Sequence, residues 1–189
     1  MVKAKKRWAK RIAAVALACA LGTGAVGALV GCSPDSKSNS DEMSVAWTSN
    51  AGEYNLDPTN NYMGLQGSYL GIYEQLFRID ANFDPQPMLA ESAEMVNDTT
   101  WKITIREGVT FQNGNELNAQ AVVDCLNRTI SMNERAKKSL DIANMEADGN
   151  VLTVTTNSLN TAFKNELSEP VASIIDVNSG AAEDEPVGT

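Results

Sequence analysis

The amino-acid sequence predicts a mixed α/β architecture, on three observations. Trp101, Ile103 and Ile105 alternate with Lys102, Thr104 and Arg106, the period of two of a strand with one buried face. Between Asn118 and Met132, Ala119, Val122, Val123, Leu126 and Ile130 recur at helical spacing behind a residue type that caps helices. Short apolar runs such as Val151-Leu152-Thr153-Val154-Thr155 stand between turn formers, so strands and helices interleave along the chain.

The chain begins with a basic cluster, Lys3, Lys5, Lys6, Arg7, Lys10 and Arg11, followed by the uncharged run Ile12 to Val30. As a helix this run would be about 28 Å long, enough to cross a bilayer's hydrocarbon core, so a membrane anchor is one reading of it. A cleaved export leader is the other: Gly22, Gly24 and Gly27 loosen such a helix, and the run closes on Leu29-Val30-Gly31-Cys32 before the polar stretch Ser33–Glu42. That ending resembles the lipobox of bacterial lipoprotein signals, with Leu29, Val30 and Gly31 preceding the modified cysteine. The resemblance implies that the Cys32 thiol takes a diacylglycerol and that cleavage before it frees an amine for acylation, which together hold a protein on a membrane. Residues 1–31 are thus expected to be a signal peptide. Residues 32–42, without a large apolar side chain, are expected to be a disordered tether, and 43–189 the folded part. Leader and anchor alike place the remainder outside the cytoplasm.

Met43–Thr48 predicts a first strand that stops at Ser49-Asn50-Ala51-Gly52. Tyr62 to Leu76 carries Leu65, Tyr69, Ile72 and Leu76 at spacings of four, three and four, which predicts a helix with Tyr73 beside that face. Phe77–Asp80 reads as a strand entering an Ala81-Asn82 turn, and Pro85 and Pro87 keep the next segment extended. Ser92–Val96 and Thr100–Arg106 form a hairpin about Asn97-Asp98-Thr99, and Phe111-Gln112-Asn113-Gly114 a turn. After the helix capped by Asn118, a second helix is expected over Arg135–Ile142. Val151–Thr155 should be a strand, Thr161–Leu167 a short helix burying Phe163 and Leu167, Val171–Val177 another strand, and Asn178–Thr189 a loop.

Composition excludes several kinds of chemistry. There is no histidine among the 189 residues, which removes Ser-His and Cys-His nucleophile pairs, imidazole bases and His-ligated metals. Three cysteines are too few for a four-thiolate zinc site or a disulfide framework. Cys19 lies in the leader and Cys32 in the lipobox, leaving Cys125, which reads as a small buried residue beside Val122, Leu126 and Ile130. The net charge of −9 conceals a division: six of the fifteen basic residues precede the first acidic one, Asp35, so beyond residue 31 nine basic residues face twenty-four acidic ones, a net of −15. Such a surface is wrong for nucleic acid. Asn97-Asp98-Thr99 and Asn127-Arg128-Thr129 fit the glycosylation triplet, which an exported bacterial lipoprotein does not use. Nothing in the spacing of Asp80, Glu91 and Asp124 suggests an acid/base pair, so a hydrolase is disfavoured and no cofactor is called for.

Several segments in order then carry a family resemblance: Ile72-Tyr73-Glu74-Gln75-Leu76 to Asp80, Pro87-Met88-Leu89-Ala90-Glu91-Ser92, Trp101 to Phe111, Asn113-Gly114, Asn118 to Val123, and Pro186-Val187-Gly188-Thr189. They resemble the extracytoplasmic solute-binding proteins of peptide and nickel ABC transporters, and the likeness runs from about Met43 to the last residue. Ala93 departs from the pattern, standing where the family usually has a tryptophan. The resemblance implies a type II (cluster C) periplasmic-binding-protein-like fold. It also implies that this chain holds only the first part of lobe I with its accessory subdomain, as a fragment lacking the second lobe; a complete small protein is the alternative. It implies capture of peptides, nickel chelates or another small solute by a monomer, delivery to ABC permease subunits, and residence on the extracytoplasmic face of the cell membrane. A membrane-anchored interaction or sensing module without transport is the competing function. Trp47, Ser49 and Asn50 are candidate ligand contacts at the carboxyl end of the first strand, where open α/β sheets face their cleft; equally, Trp47 is a core residue and the other two are turn formers. Arg135 resembles in position an arginine that nickel-type members direct at an anionic chelate, the other reading being a solvated helix-end arginine beside Lys137 and Lys138.

Overall fold

The computed structural model describes residues 56–60, 63–180 and 186–189. The leader, the lipobox residues Leu29, Val30, Gly31 and Cys32, the tether, the strand expected over Met43–Thr48 and the candidates Trp47, Ser49 and Asn50 lie outside the described residues. Among the described residues no helix is long and apolar enough to cross a membrane.

The elements run α1 (Met63–Tyr69), β1 (Phe77–Ile79), β2 (Pro85–Pro87), β3 (Ala90–Asn97), β4 (Thr100–Ile105), α2 (Ala119–Met132), α3 (Glu134–Leu140), β5 (Ile142–Asp148), β6 (Val151–Thr156), α4 (Phe163–Glu166) and a 3-10 turn, Pro170–Ala172. β3, β4, β6 and β5 form one antiparallel sheet in that order, and β1 and β2 a separate ribbon. The expected alternation sets the register. Ile103 stands opposite Ala93 on one side and Leu152 on the other, and Trp101 opposite Met95 and Val154. Trp101, Ile103, Ile105, Leu152 and Val154 are buried, while Lys102 and Arg106 face water. α2 covers the β5 and β6 end of the sheet with Val122, Cys125 and Leu126 inward. Trp101 packs against Phe163 at 5.9 Å between ring centroids and 38° between planes. Each fully buried aliphatic or aromatic side chain here is worth about 1.5–3 kcal/mol of transfer free energy, which makes this layer the main source of stability.

The Asn118 cap is as read from the sequence, and the structure adds one at Asn133 that the sequence reading did not mark. The Asn118 side chain accepts from the Ala121 amide at the start of α2. Asn133 serves twice: its amide closes α2 on the Thr129 carbonyl, and its side chain accepts from Ala136 to open α3.

Four expectations need correction. The helix expected over Tyr62–Leu76 ends at Tyr69. Gly71 adopts φ +68, its amide bonding the Ser68 carbonyl and the Ile72 amide the Gly67 carbonyl, the pair of hydrogen bonds that closes a Schellman cap. The inward face of α1 is glycine, not apolar: a Cβ on Gly67 would fall 2.1 Å from the Tyr73 ring, while Leu65 and Tyr69 are exposed. The second helix stops at Leu140, where Asp141 turns left-handed (φ 49), and Ile142 starts β5 instead, an edge strand the sequence reading missed. Finally, Val171–Val177 is not a strand. Pro170 opens a 3-10 turn, and Ile174 makes one isolated bridge to Glu74. Residues 172–176 are buried without alternation, so the segment is a core plug, not a pleated ribbon.

The β1–β2 ribbon turns through Asp80–Asp84. The Asp80 carboxylate accepts from the Asn82 and Asp84 amides at 2.8 and 3.0 Å. Phe83 sits in this turn at φ 67 with its ring 81% exposed, a left-handed position occupied by a bulky residue that gains no core packing.

Candidate functional site

A seam of buried polar contacts runs along the side of the molecule where the described chain begins. Asp57 lies between Leu56 and Pro58, and its Oδ1 accepts from the Thr59 amide at 2.9 Å and the Thr59 hydroxyl at 2.8 Å, an Asx turn that folds residues 56–60 back on themselves. Arg128, on α2, donates from Nη1 to Asp57 Oδ1 at 3.0 Å and from Nη2 to Oδ2 at 2.5 Å, a bidentate pair. The two side chains are 15% and 4% exposed. Asn133 Nδ2 donates to the Thr59 carbonyl at 2.8 Å, and the Tyr73 hydroxyl to the Leu56 carbonyl at 3.0 Å. The turn is therefore held at its carboxylate and at two of its carbonyls by residues far along the chain.

Electrostatics agree with this geometry. Burial pushes the Asp57 carboxyl upward, but the donors from Arg128 and Thr59 outweigh it and hold its pKa below the usual carboxylate value, so Asp57 is ionised at neutral pH. Burial, with the Asp57 charge nearby, raises the Tyr73 phenol well above the ordinary tyrosine value, which keeps it a neutral donor.

The seam continues away from the turn. Gln75 Nε2 donates to the Ser68 hydroxyl and, at 2.7 Å, to the Ser173 hydroxyl. Asp176 Oδ2 accepts from Asn113 and Asn115 at 2.8 and 2.7 Å. Its backbone amide bonds the Val187 carbonyl, and the Gln112 amide bonds that of Gly188, so Pro186–Thr189 is sewn to the same side. Cys125 lies beneath, its Sγ 3.5 Å from the Ser173 carbonyl and 3.4 Å from the Ile175 amide. Burial pushes this thiol up to about 11, so it is a packing residue, not a nucleophile.

Of the sequence candidates, only Arg135 is among the described residues. It sits in the first turn of α3, 81% exposed, with its guanidinium 3.8 Å from the Glu169 carboxylate. Sequence reasoning missed the arginine that is engaged, Arg128, which drew notice only as part of a glycosylation triplet. Its partner lies 71 residues away, and no local spacing signals such a pair. Among the described residues no group of three or more His, Cys, Asp or Glu could hold a metal ion. What the seam can do is hold backbone in a fixed place and orientation.

Comparison with known proteins gives this scaffold a context. The model of family 5 of the bacterial extracellular solute-binding proteins (middle region) matches residues 84–189, more than half of the chain. The nickel-binding protein NikA of Staphylococcus aureus is 32% identical over 121 residues, covering 64% of this chain and 25% of that protein. The glutathione-binding protein GsiB of Escherichia coli K12 is 32% identical over 109 residues, covering 55% and 21%. Among solved structures, a nickel ABC transporter from Bacillus halodurans superposes with a TM-score of 0.65 at 39% identity, covering 71% of this chain and 28% of that one. S. aureus NikA in complex with Ni(L-His)2 gives 0.64 at 27%, covering 72% and 29%. The chain spans about a quarter of the length of the curated relatives it matches. The cluster C binding-protein fold expected from the sequence is the one these structures share over that part.

Proposed function

This chain belongs to family 5 of the bacterial extracellular solute-binding proteins, and from that premise we propose that it supplies one wall of the solute site of an ABC importer's binding lipoprotein. The family is one of non-catalytic binding proteins that act outside the cytoplasm. The observation that carries the reading is the family match over residues 84–189. The engaged seam at the Leu56–Asn60 turn is compatible with it, since Arg128 and Asn133 hold that turn in one place and orientation. Nickel chelates, glutathione and short peptides are the solute classes suggested by relatives named for nickel and glutathione and by the family motifs. Permease subunits are the partners, the cell membrane the site of residence, and Cys32 the lipid attachment point behind Leu29, Val30 and Gly31. Trp47, Ser49 and Asn50 are proposed as direct contacts. Arg135 is the candidate for an anionic chelate, its partial pairing to Glu169 being weak enough to exchange.

A binding protein of this kind gains affinity by closing two walls on its solute, so the chain by itself is expected to bind weakly. Calorimetry with the nickel–L-histidine complex, glutathione and a tripeptide tests this. The expected result is binding weaker than micromolar for the chain alone and tighter binding once the polypeptide is extended to the length of its relatives. The reading is overturned if the extended protein binds none of the three. Replacing Cys32 with Ala should abolish incorporation of labelled fatty acid, and persistent label would refute the anchor.

A further inference from the structure

Asn113-Gly114 is the one Asn-Gly pair in the sequence. Asparagine is most open to deamidation in this context, because a glycine nitrogen has no side chain beside it to obstruct its approach to the asparagine carboxamide. The fold opposes what the pair favours. Both residues are exposed to water, but the reacting groups are engaged. The Gly114 amide donates to the Phe111 carbonyl at 2.8 Å, Asn113 Oδ1 accepts from the Asn115 amide at 3.0 Å, and Asn113 Nδ2 donates to Asp176 Oδ2 at 2.8 Å. Asp176 is 5% exposed and takes a second carboxamide donor from Asn115 at 2.7 Å. Its own backbone amide donates to the Val187 carbonyl. Gln112, next to Asn113, donates from its amide to the Gly188 carbonyl and from Nε2 to the Ile72 carbonyl. A Cβ on Gly188 would fall 1.9 Å from that same Ile72 oxygen, so Pro186–Thr189 passes through a space with no slack. The Asn113 carboxamide thus closes a clamp on this segment whose other side is Asp176.

We propose that Asn113 is a site of spontaneous deamidation, restrained while the clamp is closed, whose product opens the clamp on Pro186–Thr189 permanently. The step needs only water. The Gly114 nitrogen bonds to Asn113 Cγ while its proton departs with the carboxamide nitrogen as ammonia, giving a cyclic imide, and water then opens the ring. Cleavage at the main-chain carbonyl carbon leaves Gly114 bonded through the side chain, an isoaspartate; cleavage at Cγ leaves an ordinary aspartate. Both products replace the donor to Asp176 by a carboxylate. Two like charges at hydrogen-bond distance, one of them on a buried residue, cannot both stay ionised and in place. Isoaspartate also lengthens the backbone by a methylene between Gln112 and Gly114. None of this depends on which solute is bound, or on whether one is.

The test uses the full chain. Deamidation at Asn113 is followed by peptide mass spectrometry in mildly alkaline buffer, for the folded chain and for the chain unfolded in urea. The folded chain is expected to react about tenfold more slowly, since the turn must first open, and Asp176→Asn should recover part of that difference. A second measurement uses Asn113→Asp in place of the product. Amide exchange at Asp176, 63 residues away in sequence, should rise about tenfold as its bond to Val187 loosens, and that at Gln112 with it, while Ile103 and Leu152 in the sheet keep theirs. Equal rates in the folded and unfolded chains, no reaction in urea, or an Asp176→Asn chain that reacts no faster overturns the restraint. Unchanged exchange at Asp176 in Asn113→Asp overturns the opening of the clamp. If Asn113→Asp does not fold, the deamidated fraction of aged folded chain, separated by its added charge, carries the same exchange measurement.

Discussion

The sheet layer and the polar seam are built by different rules within one chain. Between β3 and β6 the strands alternate, α2 presents an apolar face, and Trp101, Ile103, Leu152 and Val154 bury side chains against one another with no demand on direction. Along the seam, α1 turns glycine inward, residues 172–176 are buried consecutively, and order comes from Asp57, Arg128, Asn133, Gln75 and Asp176, each bonded in a fixed geometry. Apolar burial tolerates small displacement and gives most of the free energy, whereas hydrogen bonds and an ion pair give little net free energy and much orientation. A binding protein needs both, in separate places.

Substitutions should separate the two regions. Ile103→Ala, in the centre of the sheet, is expected to destabilise by about 3–4 kcal/mol through lost transfer and a residual cavity, read as a lowered midpoint in denaturant titration. Arg128→Ala should cost less, about 2–3 kcal/mol, since it strands a buried carboxylate whose former partner kept some contact with water. Replacing both members of the pair by apolar side chains should recover most of that loss. A destabilisation by Arg128→Ala as large as that by Ile103→Ala would erase the distinction between the regions.

Acid sharpens it further. The carboxyls of Asp57 and Asp176 are both raised by burial but held, net, below their ordinary values, Asp57 by Arg128 and Thr59, Asp176 by Asn113, Asn115 and the Asn178 amide. A carboxyl whose folded pKa is depressed contributes stability that is complete above its unfolded value and lost as pH falls through the folded one. The seam should therefore loosen below about pH 4, with exchange at 56–60 and 186–189 rising before that of β4 and β6. Simultaneous loss in both places would refute this order. The smallest expected effect lies at the ribbon tip. Phe83→Gly relieves about 1–2 kcal/mol of left-handed strain and forfeits about 0.5–1 to the freer unfolded chain, a net stabilisation between zero and about 1.5 kcal/mol. A lowered midpoint would show that the exposed ring is in fact packed.

How far the sequence could be read follows the same line. The β4 alternation, the Asn118 cap and the buried pair Phe163 and Leu167 were legible because each is a local pattern whose period or spacing physics dictates. The end of α1 was misread because Leu65, Tyr69, Ile72 and Leu76 keep helical spacing across Gly71, and hydrophobic period outweighed the glycine signal. β5 was hidden by its edge position: Asn144, Glu146 and Asp148 face water and only Ile142, Met145 and Ala147 are half-buried, a weak alternation with few β-formers. The Asp57–Arg128 pair was beyond reach for a different reason. Its two halves are brought together only by the fold, and neither residue's neighbours in sequence mark it.

Cys125 turns this division into something measurable. Its sulfur is enclosed between α2 and the backbone of Ser173 and Ile175, and with Cys19 and Cys32 replaced it would be the lone thiol in the chain. The rate at which a thiol reagent modifies it then reports how often α2 parts from residues 173–175, an internal clock for opening of the seam's floor. A change that frees only the Leu56–Asn60 turn should leave that clock unaltered, while one that lifts α2 should make it run faster.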